Sequence, residues 1–297
     1  MSPALIAIMG PTASGKTALA EALADRLSAR LINADAFQVY RGLDVGTGKS
    51  DRAREYALMD VVDPDETFTV GRWLDLAIPF LAKVYAARQS AVVVGGTGLY
   101  VRALFEDYSD LAAPPNPELR ARLMRQEREL GLSSLVAELR TRAPEVADKT
   151  DLDNPVRVRR ALERLESTPR RLPALPPFAR WKFVIDPGVE AITQRIAERY
   201  DAMVLGGWLN EVSGLLAREV PPSCPGMRAH GYRALAQVAQ GDLSLDAVRD
   251  RTIAEIRRYA KRQRTWLRKE PGARRLEAVD VPSALEEVLA VLHNEGQ

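Results

Sequence analysis

Gly10-Pro11-Thr12-Ala13-Ser14-Gly15-Lys16-Thr17 is the stretch that decides the fold. It reads G-x-x-x-x-G-K-[ST]. The apolar run Leu5-Ile6-Ala7-Ile8-Met9 leads into it as a buried strand, and the Ala-rich, helix-periodic residues 17–27 lead out. Strand, glycine loop and helix form the context that separates a phosphate-binding loop from a chance turn. The backbone N–H groups of such a loop and of the following helix N-terminus present concentrated positive potential to a phosphate. Lys16 adds a full charge, and Thr17 is placed to hold a magnesium ion through its hydroxyl. The loop by itself does not say which phosphate or diphosphate binds, or what becomes of it.

Outward from the loop, the first hundred residues alternate strand-like and helix-like segments, as a parallel α/β sheet requires. Residues 30–34 read as a short strand ending at Asp35. Residues 90–94 read as a more apolar strand, followed by Gly95-Gly96-Thr97-Gly98 and the start of a helix over 99–105. Ligands on such sheets gather at the carboxyl ends of strands, so residues 10–17, Asp35 and Thr97 are expected around one site. The texture changes after Asp110. The breaker cluster Ala112-Ala113-Pro114-Pro115-Asn116-Pro117 opens a segment of helical pattern, with Leu119, Leu123, Leu130, Leu135 and Leu139 as the apolar positions of two helices. A second breaker stretch over 168–177 closes it, and Trp181-Lys182-Phe183-Val184-Ile185 returns to strand character. From Val189 onward the pattern is mostly helical, with one long helix over 245–268. The expected fold class is therefore α/β, a P-loop NTPase-like parallel-sheet core over residues 1–113 and 180–297. A mainly helical domain over 114–179 is inserted into it.

Composition narrows the chemistry. Cys224 is the only cysteine, and His230 and His293 are the only histidines. An intrachain disulfide and a cysteine-based zinc site are excluded, and a carboxylate is the expected general base. No apolar run approaches the roughly 20 residues that span a bilayer, and the first residues lack the pattern of a targeting segment. A cytoplasmic protein with no membrane partner is expected, and nothing demands more than a monomer. Net charge is only +2, but it is unevenly spread. Arg257, Lys261, Arg264 and Arg268 recur at helical spacing on one face, with Arg258 and Arg262 flanking and Tyr259 and Trp266 interleaved. Arg157, Arg159 and Arg160 cluster in the insertion, with Arg170 and Arg171 beyond, and Met227-Arg228-Ala229-His230-Gly231-Tyr232-Arg233 is a third basic patch. One such run is ordinarily a solvated face. Several together point to a polyanion longer than a nucleotide, and the aromatics suit a structured RNA.

Three further features are open to more than one reading. Asp35 at a strand end fits a magnesium-associated carboxylate, a general base or a helix N-cap; beside a phosphate loop and with almost no histidine, the first two are favoured. Thr97 is either a plain N-cap or a positioned hydroxyl. Arg195 and Arg199, one helical turn apart, could clamp a second phosphate bidentately or simply face solvent.

At this point the chain resembles the tRNA dimethylallyltransferases (isopentenyl-tRNA transferases), through several motifs in order. Residues 10–17 match the family's G-P-T-A-S-G-K-T without a change. Ala34-Asp35 and Gln38-Val39-Tyr40-Arg41-Gly42-Leu43-Asp44-Val45-Gly46-Thr47 are similar to its A-D-S-x-Q-V-Y-x-G-x-D-I-G-T block, and Val94-Gly95-Gly96-Thr97-Gly98-Leu99-Tyr100 to its V-G-G-T-G-L-Y. Arg228-Ala229-His230-Gly231-Tyr232-Arg233 resembles R-x-x-G-Y-[RK], and Lys261-Arg262-Gln263-Arg264-Thr265-Trp266-Leu267-Arg268 resembles K-R-Q-x-T-W-[LF]-R. The resemblance implies transfer of a dimethylallyl group from its diphosphate to the exocyclic amine of adenosine 37 in tRNA. Gly10, Pro11, Thr12, Ala13, Ser14, Gly15, Lys16 and Thr17 would hold the diphosphate, with Mg2+ at Thr17, and Arg199 would grip the same group. Asp35 would take the amine proton and Thr97 would position the reacting groups. The adenine has to leave its stack to arrive there. The anticodon stem-loop would be held by Asp35, Ala36, Phe37, Gln38, Thr97 and Arg120, by Val156-Arg157-Val158-Arg159-Arg160, and by the segments 228–233 and 261–268.

The chain departs from the family pattern in four places. Ala36 stands where a small polar neighbour of the aspartate is usual, Gly48 replaces a common alanine, and His230 sits at a usually aliphatic position. Tyr56-Ala57-Leu58-Met59-Asp60 occupies the place of H-H-L-I-D, so a family histidine is absent. An ATP-dependent small-molecule kinase shares the loop and the strand-end aspartate, but leaves residues 261–268 unexplained. A non-catalytic RNA-binding nucleotide switch leaves Asp35 and Thr97 without a task.

Overall fold

Among the described residues, six strands, all parallel, form one sheet in the order β3-β2-β4-β1-β5-β6. They are β1 Ala4–Met9, β2 Arg30–Asn33, β3 Tyr56–Ala57, β4 Ala91–Gly95, β5 Ala179–Val184 and β6 Ala273–Arg275. This computed structural model describes residues 3–106, 116–167, 173–278 and 280–295. The breaker residues 112–115 and 168–172, with Arg170 and Arg171, lie outside the described residues.

Strand β1 is central, pairing with β4 on one side and β5 on the other. That position explains its sequence: Leu5, Ile6, Ala7, Ile8 and Met9 have no solvent exposure, as a strand covered on both faces requires. Each large side chain there contributes about 1.5–3 kcal/mol. The edge strands β3 and β6 are short and were not anticipated from sequence. Ala273-Arg274-Arg275 carries no apolar alternation, and its register against Lys182, Phe183 and Val184 is set by the partner strand.

Helix α1, Lys16–Leu27, buries Leu19, Ala20, Leu23 and Ala24. With α12, Val281–Glu295, it covers one face of the sheet. Helices α2, Val70–Ala86, and α3, Gly98–Phe105, pack on each other, with Trp73 stacked on Tyr100 at 5.1 Å between ring centroids. A separate apolar core joins α8, Val189–Leu205, α9, Trp208–Ala217, α10, Tyr232–Ala239, and α11, Leu245–Leu267, around Trp208 and Tyr232. Ser244 starts α11 by accepting the Ala247 N–H.

The chain divides into two compact units, Met1–Glu106 with Ala174–Gln297, and Asp107–Pro173. Within the second, α4 Pro117–Leu130, α5 Leu132–Arg142, α6 Pro144–Asp148 and α7 Pro155–Glu166 enclose Leu119, Leu123, Leu135, Leu139, Val158 and Leu162. Asn116 and Asn154 cap α4 and α7, each with a proline at the first helical position, which matches Pro's preset φ and missing N–H. Leu130, expected inside, is 67% exposed. It is the last residue of α4, and Gly131 breaks the helix before that position can turn inward.

Candidate active site

The loop residues 10–15 leave β1 and turn directly into α1. Only glycine fits at position 10, because a Cβ there would lie 2.3 Å from Ser14 Oγ and 2.6 Å from the Ile185 carbonyl oxygen. Gly15 enters α1 at φ +91°, a left-handed conformation that glycine adopts without strain. The buried Ser14 Oγ has no hydrogen-bond partner among the described residues. Lys16 Nζ reaches back to the Pro11 carbonyl oxygen at 3.3 Å. Burial draws the Lys16 ammonium down to about 8, opposed by Asp35 and reinforced by Arg199.

These residues form one wall of a cleft. Thr12, Lys16 and Thr17 come from the loop, Asp35 from the end of β2, Arg199 from α8, and Tyr259 from α11. Asp35 is fixed at both ends: its N–H donates to Asn33 Oδ1 at 3.0 Å, and its Oδ1 accepts the Phe37 N–H at 2.9 Å. Asn33 is itself buried and donates to the Leu58 carbonyl oxygen at 3.0 Å. Arg199 Nη2 lies 3.4 Å from the Gly48 carbonyl oxygen, and burial lowers its pKa from the ordinary value, with Asp35 opposing. It still carries its charge at neutral pH. Its helical neighbour Arg195 is exposed and takes no part in the cleft.

Thr97 stands at the N-terminal end of α3 but does not cap it with its side chain. Its Oγ1 accepts the Ala36 N–H at 3.0 Å, so it pins the backbone beside Asp35. Tyr259, which sequence reasoning noted only as an interleaved aromatic, lines the cleft; burial first, and Asp35 second, push its phenol well up, so it stays neutral. His230 also lines the cleft, with Nδ1 2.6 Å from Glu255 Oε1 and its ring 4.5 Å from the Tyr259 ring. Tyr56, at the position of the family histidine, donates its hydroxyl to Glu21 Oε1 at 2.8 Å on the same wall.

The loop 43–48 is held by Glu211, which the motifs did not flag, together with Tyr232 and Gln38, which they did. Glu211 of α9 accepts the N–H groups of Asp44, Val45 and Gly46 at 2.6, 2.7 and 3.2 Å, and Tyr232 donates to the same carboxylate at 2.6 Å. Gln38 donates to the carbonyl oxygens of Thr47 and Gly48 at 3.1 and 3.2 Å. Tyr232 is fully buried, as are Ala229 and Gly231, so Arg228 and Arg233 are what the third basic patch presents to solvent.

The α11 segment divides in the same way. Lys261, Arg262, Thr265 and Arg268 are exposed, whereas Gln263 and Leu267 are buried. Arg264 is only 16% exposed and is paired with Asp186 at 2.7 Å. Trp266 packs over Gly98 and under the Arg102 guanidinium, 4.4 Å from its ring centroid. In the second unit, Arg120 forks onto Glu163 at 2.7 and 2.9 Å, Arg160 shares that carboxylate, Arg159 pairs with Glu127 and Arg157 with Asp151. Val156 is exposed and Val158 lies in that unit's own core. No described helix is long and apolar enough to cross a membrane.

No group of three or more acidic, histidine or cysteine side chains that could hold a metal is present among the described residues. A cation at this loop would have the Thr17 hydroxyl and the ligand's own oxygens, with the Asp35 carboxylate in the same cleft. That donor set suits Mg2+, which keeps several waters and binds through phosphates with few protein ligands.

Two family models match the chain, IPP transferase over residues 38–270 and isopentenyl transferase over residues 3–58. The tRNA dimethylallyltransferase of Thermus thermophilus is 41% identical over 277 residues, covering 91% of each chain. That of Syntrophobacter fumaroxidans is 37% identical over 288 residues, 93% of this chain and 84% of its relative. The crystal structure of the tRNA isopentenylpyrophosphate transferase from Bacillus halodurans superposes with a TM-score of 0.70 at 31% identity, covering 98% and 96% of the two chains. A eukaryotic dimethylallyltransferase crystallised acting on tRNA has a TM-score of 0.77 at 22% identity, which shows the shared fold. Motifs, sheet order and these relatives agree: the chain belongs to the tRNA dimethylallyltransferase (IPP transferase) family.

Proposed function

We propose that this enzyme transfers the dimethylallyl group of dimethylallyl diphosphate to the N6 amine of adenosine 37, beside the anticodon of tRNA. The observation that carries the reading is the meeting, in one cleft, of a cationic phosphate loop and a fixed carboxylate, Asp35. A kinase would need the same loop but gives no reason for the exposed cations of α11, and the relatives do not favour it.

In the transfer, the bond between the dimethylallyl C1 and the diphosphate oxygen breaks and a bond from that carbon to N6 forms. Lys16, Arg199 and the loop N–H groups offset the charge that grows on the leaving diphosphate. Mg2+ held at Thr17 would supply further neutralisation of that diphosphate. The adenine amine is a poor nucleophile because its lone pair is drawn into the ring. Asp35 accepts its proton as the N–C bond forms, and Thr97, by holding the Ala36 N–H, keeps that carboxylate in place. Arg228, Arg233, Lys261, Arg262 and Arg268 are exposed cations for the phosphates of the anticodon arm. We place the reaction in the cytoplasm with a monomeric enzyme, and treat residues 114–179 as an inserted domain that helps hold the tRNA.

The test is incorporation of labelled dimethylallyl diphosphate into unmodified tRNA by the purified protein, with Asp35→Ala alongside. Label that appears with the wild type and is lost in the variant supports both the reaction and its base. ATP turnover without label would replace the reading with the kinase.

A further inference from the structure

Gln263 is buried in the middle of the most cationic part of α11, where its neighbours Lys261, Arg262 and Thr265 are exposed. Its side-chain amide reaches two loops distant in sequence. Oε1 accepts the Thr12 N–H of the phosphate loop at 2.9 Å, and Nε2 donates to the Gly96 carbonyl oxygen at 3.0 Å. Space for it is built in: a Cβ at position 96 would lie 2.1 Å from Nε2. Four residues earlier on the same helix, Tyr259 lines the cleft, and three residues later Trp266 packs against Gly98.

The Thr12 N–H is thus engaged by the protein itself and is not among the loop donors open to a diphosphate. The β1 loop, the β4 loop and α11 are fastened together at one point. The helix that fastens them also carries Lys261, Arg262 and Arg268 to the surface.

From this geometry we infer that Gln263 is a positioning residue: its amide sets the phosphate loop in register with α11, and so places the diphosphate relative to the RNA that docks on that helix. The inference rests on the functional reading above, since the RNA is what docks there. Its chemical content is preorganisation. Without the link the loop donors are less well placed for the diphosphate, and a leaving group misplaced relative to the attacking amine also slows the transfer.

Two independent changes break the link. Gln263→Met keeps the length and removes both hydrogen bonds, together with the one between Gln263 and the Tyr259 side chain. Gly96→Ala leaves Gln263 intact and fills the space its amide occupies; its backbone lies outside the left-handed region, so alanine is conformationally allowed. Each variant should bind Mg2+-pyrophosphate roughly tenfold more weakly and lower single-turnover transfer by a similar factor, as expected for losing buried hydrogen bonds. The tRNA dissociation constant should stay within about twofold. The double variant should be no worse than either single one, because both remove the same contact.

Additive losses, or unchanged pyrophosphate binding in both single variants, would overturn the inference. Loss of tRNA binding in step with a lowered melting temperature would do so too, by making Gln263 a general packing residue. The functional reading fails differently, through a wild type that transfers no label, and pyrophosphate binding would still report on the link. If one single variant does not fold, the other carries the binding measurement by itself.

Discussion

Replacing Asp35 by Asn tests the reaction with the least disturbance to the fold. Asparagine keeps an Oδ1 to accept the Phe37 N–H at 2.9 Å, and the backbone N–H bond to Asn33 at 3.0 Å does not involve the side chain. What disappears is the negative charge and the ability to take a proton. General-base removal costs about 10²–10⁴ in rate, equivalent to roughly 2.7–5.5 kcal/mol of barrier. The same change removes a carboxylate that offsets the charge of both Lys16 and Arg199. A diphosphate then meets those cations without a competing anion, so the KM for dimethylallyl diphosphate should hold or fall while kcat collapses. Single-turnover transfer at saturating tRNA, together with equilibrium tRNA binding, separates the two effects. A variant that keeps its single-turnover rate but loses tRNA affinity would refute the assignment of Asp35 as base.

Further expectations follow from particular contacts. Thr97→Val leaves the Ala36 N–H without its acceptor and should slow transfer while tRNA binding persists, whereas Thr97→Ser should restore much of the rate; equal losses in both would show that the methyl group, not the hydroxyl, matters. Arg268→Ala should lower the slope of log affinity for tRNA against log salt by about 0.7–0.9. Arg264→Ala should leave that slope nearly unchanged and lower the melting temperature, since Arg264 is already paired with Asp186. Thr17→Val should raise the Mg2+ concentration needed for half-maximal transfer, and an unchanged requirement would remove Thr17 from the metal's reach. Burial pushes the Glu163 pKa up, but hydrogen bonds from Arg120 and Arg160 outweigh it and hold the group below its ordinary value. Its contribution to the second unit is therefore present above the unfolded pKa and lost as pH falls through the folded one; Glu163→Gln should cost about 1–3 kcal/mol at neutral pH, read by thermal melting.

The amino-acid sequence by itself determined what is local. A phosphate loop is backbone geometry written in eight consecutive residues, so residues 10–17 declared both the loop and the strand and helix on either side. The apolar runs at 5–9 and 90–94 declared a parallel sheet because strands buried on both faces need no alternation. Asp35 and Thr97 were legible as candidates through the order of their motifs, and Arg199 through its helical spacing from Arg195.

Only the tertiary structure decided which way each residue of a motif turns and what it pays its charge to. Tyr232, Gln263 and Arg264 sit in segments that read as one basic surface. Yet Tyr232 serves Glu211, Gln263 serves Thr12 and Gly96, and Arg264 serves Asp186. Their partners lie 21 to 251 residues away in the chain. A cation's availability depends on whether packing brings a carboxylate to it, as Glu163 is brought to Arg120 across 43 residues. No periodicity in the sequence encodes that pairing, and the short edges β3 and β6 were hidden for the same reason: their register belongs to the strands beside them.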